Sequence, residues 1–291
     1  MTAGRRARTG ARSPWWSAAV ACALCGVVLA GCGGTHPAPG DGSTSSPSMD
    51  NPSTEVESTD QVVVESRVGP ARTSAYEDMA VLALAEVEGL WGSGAVARPV
   101  RLVLPADGAA FAGLTGHAED ESEVPASTVG SGPRARVVIH PDAWDRLSPA
   151  GRQAVLTHEV THLAMQGDGP VPGWFGEGLA EYTAHRRSTL SPQEIAGSAL
   201  DAVRQGSLPT GWPGAVPATG GTGGQWQGYA TAWLACLYIA REYSEDDLVT
   251  LYRTVQDGRS WEQAVPAVLG VSDEELLTGW QHWLTDLVAR S

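Results

Sequence analysis

Residues 148–167 read SPAGRQAVLTHEVTHLAMQG, a segment with the start and stop signals of a single helix. Ser148 and Pro149 are typical of an N-cap followed by a first helical residue, and Gly167 suits the end of a helix. Along such a helix His158 and His162 are four residues apart, so their side chains lie one turn apart on the same face. The segment therefore predicts an α-helix that presents two imidazoles side by side.

His158, Glu159 and His162 belong to an H-E-x-x-H motif. At this spacing two imidazoles converge on a single Zn²⁺, and Glu159 stands beside the metal, where it is placed to take a proton from water. A catalytic zinc site has three protein ligands and one open position, so a third ligand is expected downstream. The alternative interpretation is a surface helix on which two histidines flank a glutamate.

The third ligand is expected in residues 172–182, which read PGWFGEGLAEY. A helix through this segment places Glu177 and Glu181 one turn apart, so that Glu177 binds the metal while Glu181 reaches a ligating imidazole from behind. Residues 163–176 are long enough to reverse the chain and bring this helix against the first. In the alternative interpretation both glutamates face solvent, and Asp168 is a second candidate for the ligand.

The pattern of the remaining elements predicts an α+β fold. Short aliphatic runs predict strands, periodic segments predict a helix before the motif and helices after it, and a Gly-rich loop interrupts the helical half. The strands are predicted at 62–64, 100–104 and 136–139, the first helix at 71–90, the loop at 206–228, and capping boxes at Ser244 with Asp247, Ser260 with Gln263 and Ser272 with Glu275.

The N-terminal residues predict export. Residues 1–31 combine an Arg-rich start with an apolar run that is shorter than the roughly 20 residues of a membrane span, as in a signal peptide. The run ends in Leu29-Ala30-Gly31-Cys32, which resembles the lipobox of bacterial lipoproteins. In that case Cys32 is acylated and anchors the chain to the outer face of the cell membrane. The alternative is an ordinary secretory signal.

Composition divides the exported chain into two parts. Residues 32–60 are rich in Gly, Pro, Ser and Thr and predict a flexible tether, whereas residues 61–291 have a globular composition. The net charge of −14 argues against nucleic acid as a partner, because such proteins concentrate positive charge to neutralise phosphates. Cys236 stands alone in an apolar run, which predicts a buried and inert thiol. Four histidines of the globular part outside the motif lack metal spacing to one another and are expected at the surface or in caps: His117, His140, His185 and His282.

The two motifs together resemble the gluzincin metallopeptidases, specifically the peptidase MA-like group related to aminopeptidase N. The resemblance covers about residues 61–291 and implies a zincin-like fold, one Zn²⁺ per chain and Glu177 as the third ligand. It also implies that Tyr229, which opens a helix in Tyr229-Ala230-Thr231-Ala232-Trp233, steadies the oxyanion. The G-x-M-E-N segment with which aminopeptidase N relatives hold a free amino group does not occur before the motif.

These observations lead to an expected function with one alternative. The expected function is zinc-dependent hydrolysis of peptide bonds in a peptide or protein substrate by a membrane-anchored, extracytoplasmic lipoprotein. The alternative is a non-catalytic surface lipoprotein in which zinc only stabilises a binding domain. Glu159 argues against the alternative, since a structural site needs no base, whereas a fourth ligand such as Asp168 would favour it.

Overall fold

The computed structural model describes residues 55–117, 124–167, 169–214 and 224–290, and these form a mixed α+β fold, as predicted. In chain order the strands and helices are β1 (Glu55–Ser58), β2 (Val62–Ser66), α1 (Pro70–Trp91), β3 (Val100–Leu104), α2 (Gly108–Thr115), β4 (Ala126–Val129), β5 (Arg136–Ile139), α3 (Ala143–Arg146), α4 (Pro149–Ala164), α5 (Gly173–His185), α6 (Pro192–Arg204), α7 (Gly224–Glu242), α8 (Glu245–Gln256), α9 (Trp261–Leu269) and α10 (Asp273–Arg290). The predicted signal peptide, Cys32 and most of the predicted tether lie outside the described residues. No helix within the described ranges is long and apolar enough to cross a bilayer.

The sheet has five strands in the order β1-β2-β3-β5-β4. The three inner strands are parallel, with Val62 opposite Val100 and Leu102 opposite Val137, and both outer strands are antiparallel to their neighbours. The predicted strands correspond to β2, β3 and β5. β1 lies within the segment predicted as a tether, so the last residues of that segment pair with the sheet.

The two faces of the sheet carry different helices. Side chains that alternate along β3, such as Leu102 and Val103, point to opposite faces. The face of Leu102 contributes to the main core with α1 and α4, while the face of Val103 packs around Phe111 of α2. Helix α4, which carries the H-E-x-x-H motif, also packs against β4, the edge strand next to β5.

The helical half holds α5 in place by a close approach of two backbones. A Cβ atom at Gly178 would lie 2.5 Å from the carbonyl oxygen of Ala232 on α7, so only glycine permits this distance between the helices. Trp174, in the first turn of α5, stacks on Trp212 at 5.3 Å between ring centroids, and Trp212 stacks on Trp280 at 5.4 Å. These contacts fix the start and the register of α5, which carries the predicted third ligand.

Local capping agrees with most of the sequence predictions. Ser148 caps α4 by accepting a hydrogen bond from the Gly151 amide at 3.1 Å, and Ser272 forms the predicted reciprocal box with Glu275. Ser244 accepts from the Asp247 amide. The predicted box at Ser260 is wrong, because its side chain makes no capping hydrogen bond to the first turn of α9.

Candidate metal centre

The motif helix presents its two histidines as the spacing predicts. In α4 the Nε2 atoms of His158 and His162 lie 3.0 Å apart. The His158 side chain is fully buried, whereas 14% of the His162 side chain is exposed. The helix ends at Ala164, earlier than the predicted Gly167. The Nε2 atoms of both imidazoles therefore face the same point, and His162 lies on its more exposed side.

Glu177 on α5 joins the two histidines. Its Oε2 atom lies 3.2 Å from Nε2 of His158 and 3.7 Å from Nε2 of His162. The three ligand atoms lie within 4.8 Å of one another, and no further His, Cys, Asp or Glu of the described ranges joins the group. Two imidazole nitrogens and one carboxylate oxygen are a donor set that suits Zn²⁺ and leaves a fourth tetrahedral position to a non-protein ligand.

Glu181 lies behind His158, one turn after Glu177 on α5. Its Oε1 atom is 3.4 Å from Nδ1 of His158, the ring nitrogen that points away from the shared centre. The other carboxylate oxygen, Oε2, lies 3.5 Å from Nε2 of His185. The prediction that Glu181 faces a ligating imidazole agrees with this placement. His185, at the end of α5, is not among the converging ligands, but only 8% of its side chain is exposed. The expected surface position is wrong for His117 and His140, which are buried.

The carboxylate of Glu159 is held by the sheet. Glu159 is fully buried, and its Oε2 atom accepts a hydrogen bond of 2.6 Å from the hydroxyl of Thr128 on β4. The same hydroxyl lies 3.0 Å from the backbone oxygen of Glu159. The Oε1 atom has no hydrogen-bond partner among the described residues. One oxygen is therefore fixed by Thr128, and the other is buried without a hydrogen-bond partner among the described residues.

Contacts among the ionisable side chains of the cluster shift their pKa values. Burial alone would lower the pKa of His158, but the contacts with Glu177 and Glu181 outweigh burial and raise it to about 10. Burial would raise the pKa values of Glu177 and Glu181, but the neighbouring imidazoles lower both to about 2. For Glu159 burial dominates over the imidazoles and Thr128, and its pKa is raised. Without a metal ion, a protonated His158 therefore lies between two carboxylates.

These shifts predict how the stability of the metal-free protein depends on pH. The raised pKa of His158 stabilises the fold fully below about pH 6.5, and this contribution is lost as the pH rises to about 10. The lowered pKa values of Glu177 and Glu181 contribute above pH 4.5 and are lost toward pH 2. We expect the free energy of unfolding to fall by about 2–4 kcal/mol between pH 6.5 and 10.

Urea titrations of the chelator-treated protein measure this dependence. The His158→Gln variant is the matched control, since it lacks the titrating group and should lose less stability over the same interval. A wild-type protein that keeps its full stability up to pH 10 would contradict the contacts of His158 with the two carboxylates.

The roles of two further predicted residues, Tyr229 and Asp168, stay predictions. Tyr229 is buried near the start of α7, one turn before Ala232, which contacts Gly178 next to Glu177. Its role at an oxyanion stays a prediction. Asp168 lies outside the described residues, as do residues 215–223 of the predicted Gly-rich loop. The predicted end of this loop at residue 228 is wrong, because α7 begins at Gly224 rather than at Tyr229.

Sequence reasoning missed two residues that touch the cluster. Thr128 is 31 residues before Glu159, and no local pattern connects them. His185 did carry a signal, since Glu177, Glu181 and His185 follow each other at intervals of four and therefore share one face of α5.

No protein-family model matches the chain, and no curated protein matches it.

Proposed function

We propose that this protein is a zinc-dependent metallopeptidase of gluzincin type with a zincin-like fold. The observation that carries the proposal is the convergence of His158, His162 and Glu177 from two packed helices, with Glu159 beside them. It is tested by measuring the zinc content of the purified protein and of its ligand variants, and then by hydrolysis of a peptide library.

The donor set favours a catalytic site over a purely structural one. Structural zinc sites are closed by four protein ligands, whereas catalytic sites have three and an open position. Within the part of the chain that the structure describes, three candidate ligands converge. The carboxylate of Glu181 lies 3.4 Å from Nδ1 of His158, on the side from which a carboxylate orients a ligating imidazole, although no hydrogen bond joins them among the described residues. One zinc ion per chain fits these residues.

The residues around the centre support acid–base catalysis of hydrolysis. Zinc bound by these residues would lower the pKa of a coordinated water and polarise the scissile carbonyl. Glu159 takes the proton from the attacking water at Oε1, while Thr128 holds Oε2, and Glu159 then passes the proton to the leaving amine. In this proposal the hydroxyl of Tyr229 donates to the tetrahedral oxyanion.

A peptide is the substrate that fits the surroundings of the cluster. β4 is the last strand of the sheet, and no strand of the described residues pairs with its outer edge. An extended peptide can add to such an edge through main-chain hydrogen bonds. Because Thr128 of this strand contacts Glu159, a peptide bound along β4 lies next to the catalytic base.

The contact of Thr128 with Glu159 leads to a prediction about activity. Thr128→Val removes the hydroxyl at nearly constant volume and leaves the Glu159 carboxylate without its fixed partner. We expect kcat to fall by roughly 10–100-fold, as for the loss of a hydrogen bond to a charged group worth about 1.5–3 kcal/mol. KM and zinc content should change little, because the hydroxyl of Thr128 bonds to Glu159 and not to one of the three candidate ligands. Steady-state kinetics on a cleaved peptide measure this effect.

Two variants of the same strand serve as controls. Thr128→Ser keeps a hydroxyl at this position and should retain most of the activity. Ser127→Ala removes a neighbouring hydroxyl that is buried on the opposite face of β4 and has no hydrogen-bond partner among the described residues. Equal losses in Thr128→Val and Ser127→Ala would show that strand packing, not the bond to Glu159, is responsible.

The same proposal places the enzyme at the outer face of a bacterial cell membrane. Its basis is the signal-like segment 1–31 and the lipobox-like residues that end at Cys32. Two or more acyl chains at Cys32 would anchor the chain stably, and residues 33–54 would serve as a tether.

A further inference from the structure

We propose that His185 is a positioning residue of the metal centre that acts through Glu181. This inference rests on the proposed zinc site formed by His158, His162 and Glu177. It adds a third layer behind the ligands: the imidazole of His158, the carboxylate of Glu181, and the imidazole of His185.

Two of these three side chains, Glu181 and His185, are carried by the same helix, α5. Glu177, Glu181 and His185 are spaced by four residues and lie on one face of α5. The carboxylate of Glu181 bridges two imidazoles, with Oε1 at 3.4 Å from Nδ1 of His158 and Oε2 at 3.5 Å from Nε2 of His185. The side chains of His158, Glu181 and His185 are each 8% exposed or less.

Because Glu181 is buried, its contact with His185 affects the orientation of its carboxylate. A buried carboxylate is stable only when its oxygens are paired, and an unpaired oxygen drives rotation or protonation of the group. With Oε2 held by His185, Oε1 faces Nδ1 of His158. In the metal-bound site, a carboxylate at this position favours the His158 tautomer with its proton on Nδ1 and its lone pair on Nε2, the nitrogen that faces Glu177 and His162.

The ring of His185 is itself oriented by the neighbouring helix. It contacts Trp233 of α7 edge-to-face, with 6.4 Å between the ring centroids and 80° between the planes. Two features of α7 therefore act on α5, since Ala232 contacts Gly178 next to a ligand and Trp233 contacts His185 behind the same ligand set. In this arrangement the packing of α7 fixes the orientation of Glu181.

A purely structural role makes a different prediction from a positioning role. If His185 and Glu181 only stabilise α5 as an i,i+4 pair, their loss lowers the stability of the metal-free protein and leaves the zinc affinity unchanged. If His185 positions Glu181, its loss weakens zinc binding, and the effect disappears once Glu181 is removed.

The test is a set of zinc affinities measured on the full-length protein by competition with a chromophoric chelator. We expect His185→Phe to weaken zinc binding about 10-fold, within the range for partners behind metal ligands. His185→Gln keeps an N–H donor toward Glu181 and should remain close to the wild type. His282→Phe, a change at an exposed histidine of α10, is the matched control and should have no effect. Urea unfolding of each metal-free variant reports separately on stability.

A double-mutant cycle completes the test. In the Glu181→Ala background, His185→Phe should cause no further loss of affinity, since its effect passes through Glu181. An unchanged affinity in His185→Phe, or an equal loss in both backgrounds, would overturn the positioning role and leave the zinc site intact. A wild-type protein that binds no zinc would overturn the proposed function and this inference together, whereas zinc binding without peptide hydrolysis would affect only the proposed function.

Discussion

Replacement of Glu159 by Gln is expected to remove peptide hydrolysis and to preserve the zinc site. Gln has the size of Glu but cannot accept the proton of the attacking water, so kcat should fall by roughly 10²–10⁴-fold, the usual contribution of a general base. The zinc content should stay at one ion per chain, because Glu159 is not among the three converging ligands. The measurements are elemental analysis and the rate of cleavage of a peptide substrate.

The burial of Glu159 separates this effect from a loss of fold. Since burial raises its pKa, the charged carboxylate is disfavoured at this position, and a neutral Gln should leave the free energy of unfolding unchanged or higher. Glu274→Gln, at an exposed position of α10, is the matched control and should keep full activity. If Glu159→Gln retained hydrolysis, Glu159 would not be the base. If it lost zinc, the variant would have disturbed the ligands instead.

Features with a local cause are the ones that the sequence predicts well. The start of α4 follows from the Ser148 cap and Pro149, and the convergence of His158 and His162 follows from helical geometry alone. β3 and β5 are aliphatic runs between turn residues, and their observed bounds equal the predicted ones. In each case residues close in sequence determine the result.

Features with a tertiary cause were harder to predict. β4 has four residues, two of them polar, and its strand conformation depends on pairing with β5 rather than on its own composition. For this reason the contact of Thr128 with Glu159 was not foreseen. Glu177 lies next to the histidines only because the chain reverses between α4 and α5. The motif suggests such a reversal, but it does not specify the close packing of Gly178 against α7 that sets the position of α5.

Replacement of Glu177 by Ala is expected to remove zinc from the protein. Four-ligand zinc sites bind with about 10–16 kcal/mol, or about 3–4 kcal/mol per ligand, so the loss of one ligand should weaken binding by roughly 10²–10³-fold. Two histidines on one turn of α4 would remain, with Glu181 still behind His158. Elemental analysis after dialysis against a weak chelator should then find zinc in the wild type and little or none in Glu177→Ala.

The controls for Glu177→Ala distinguish the third ligand from its competitor. Asp168→Ala should keep one zinc ion per chain if Glu177 is the ligand, and Glu274→Ala should do the same as an exposed glutamate. Loss of zinc in Asp168→Ala together with retention in Glu177→Ala would assign the third position to Asp168. Loss in both would indicate a site closed by four protein ligands, which favours the structural role over catalysis. The pair of variants therefore decides between the two functions as well as between the two ligands.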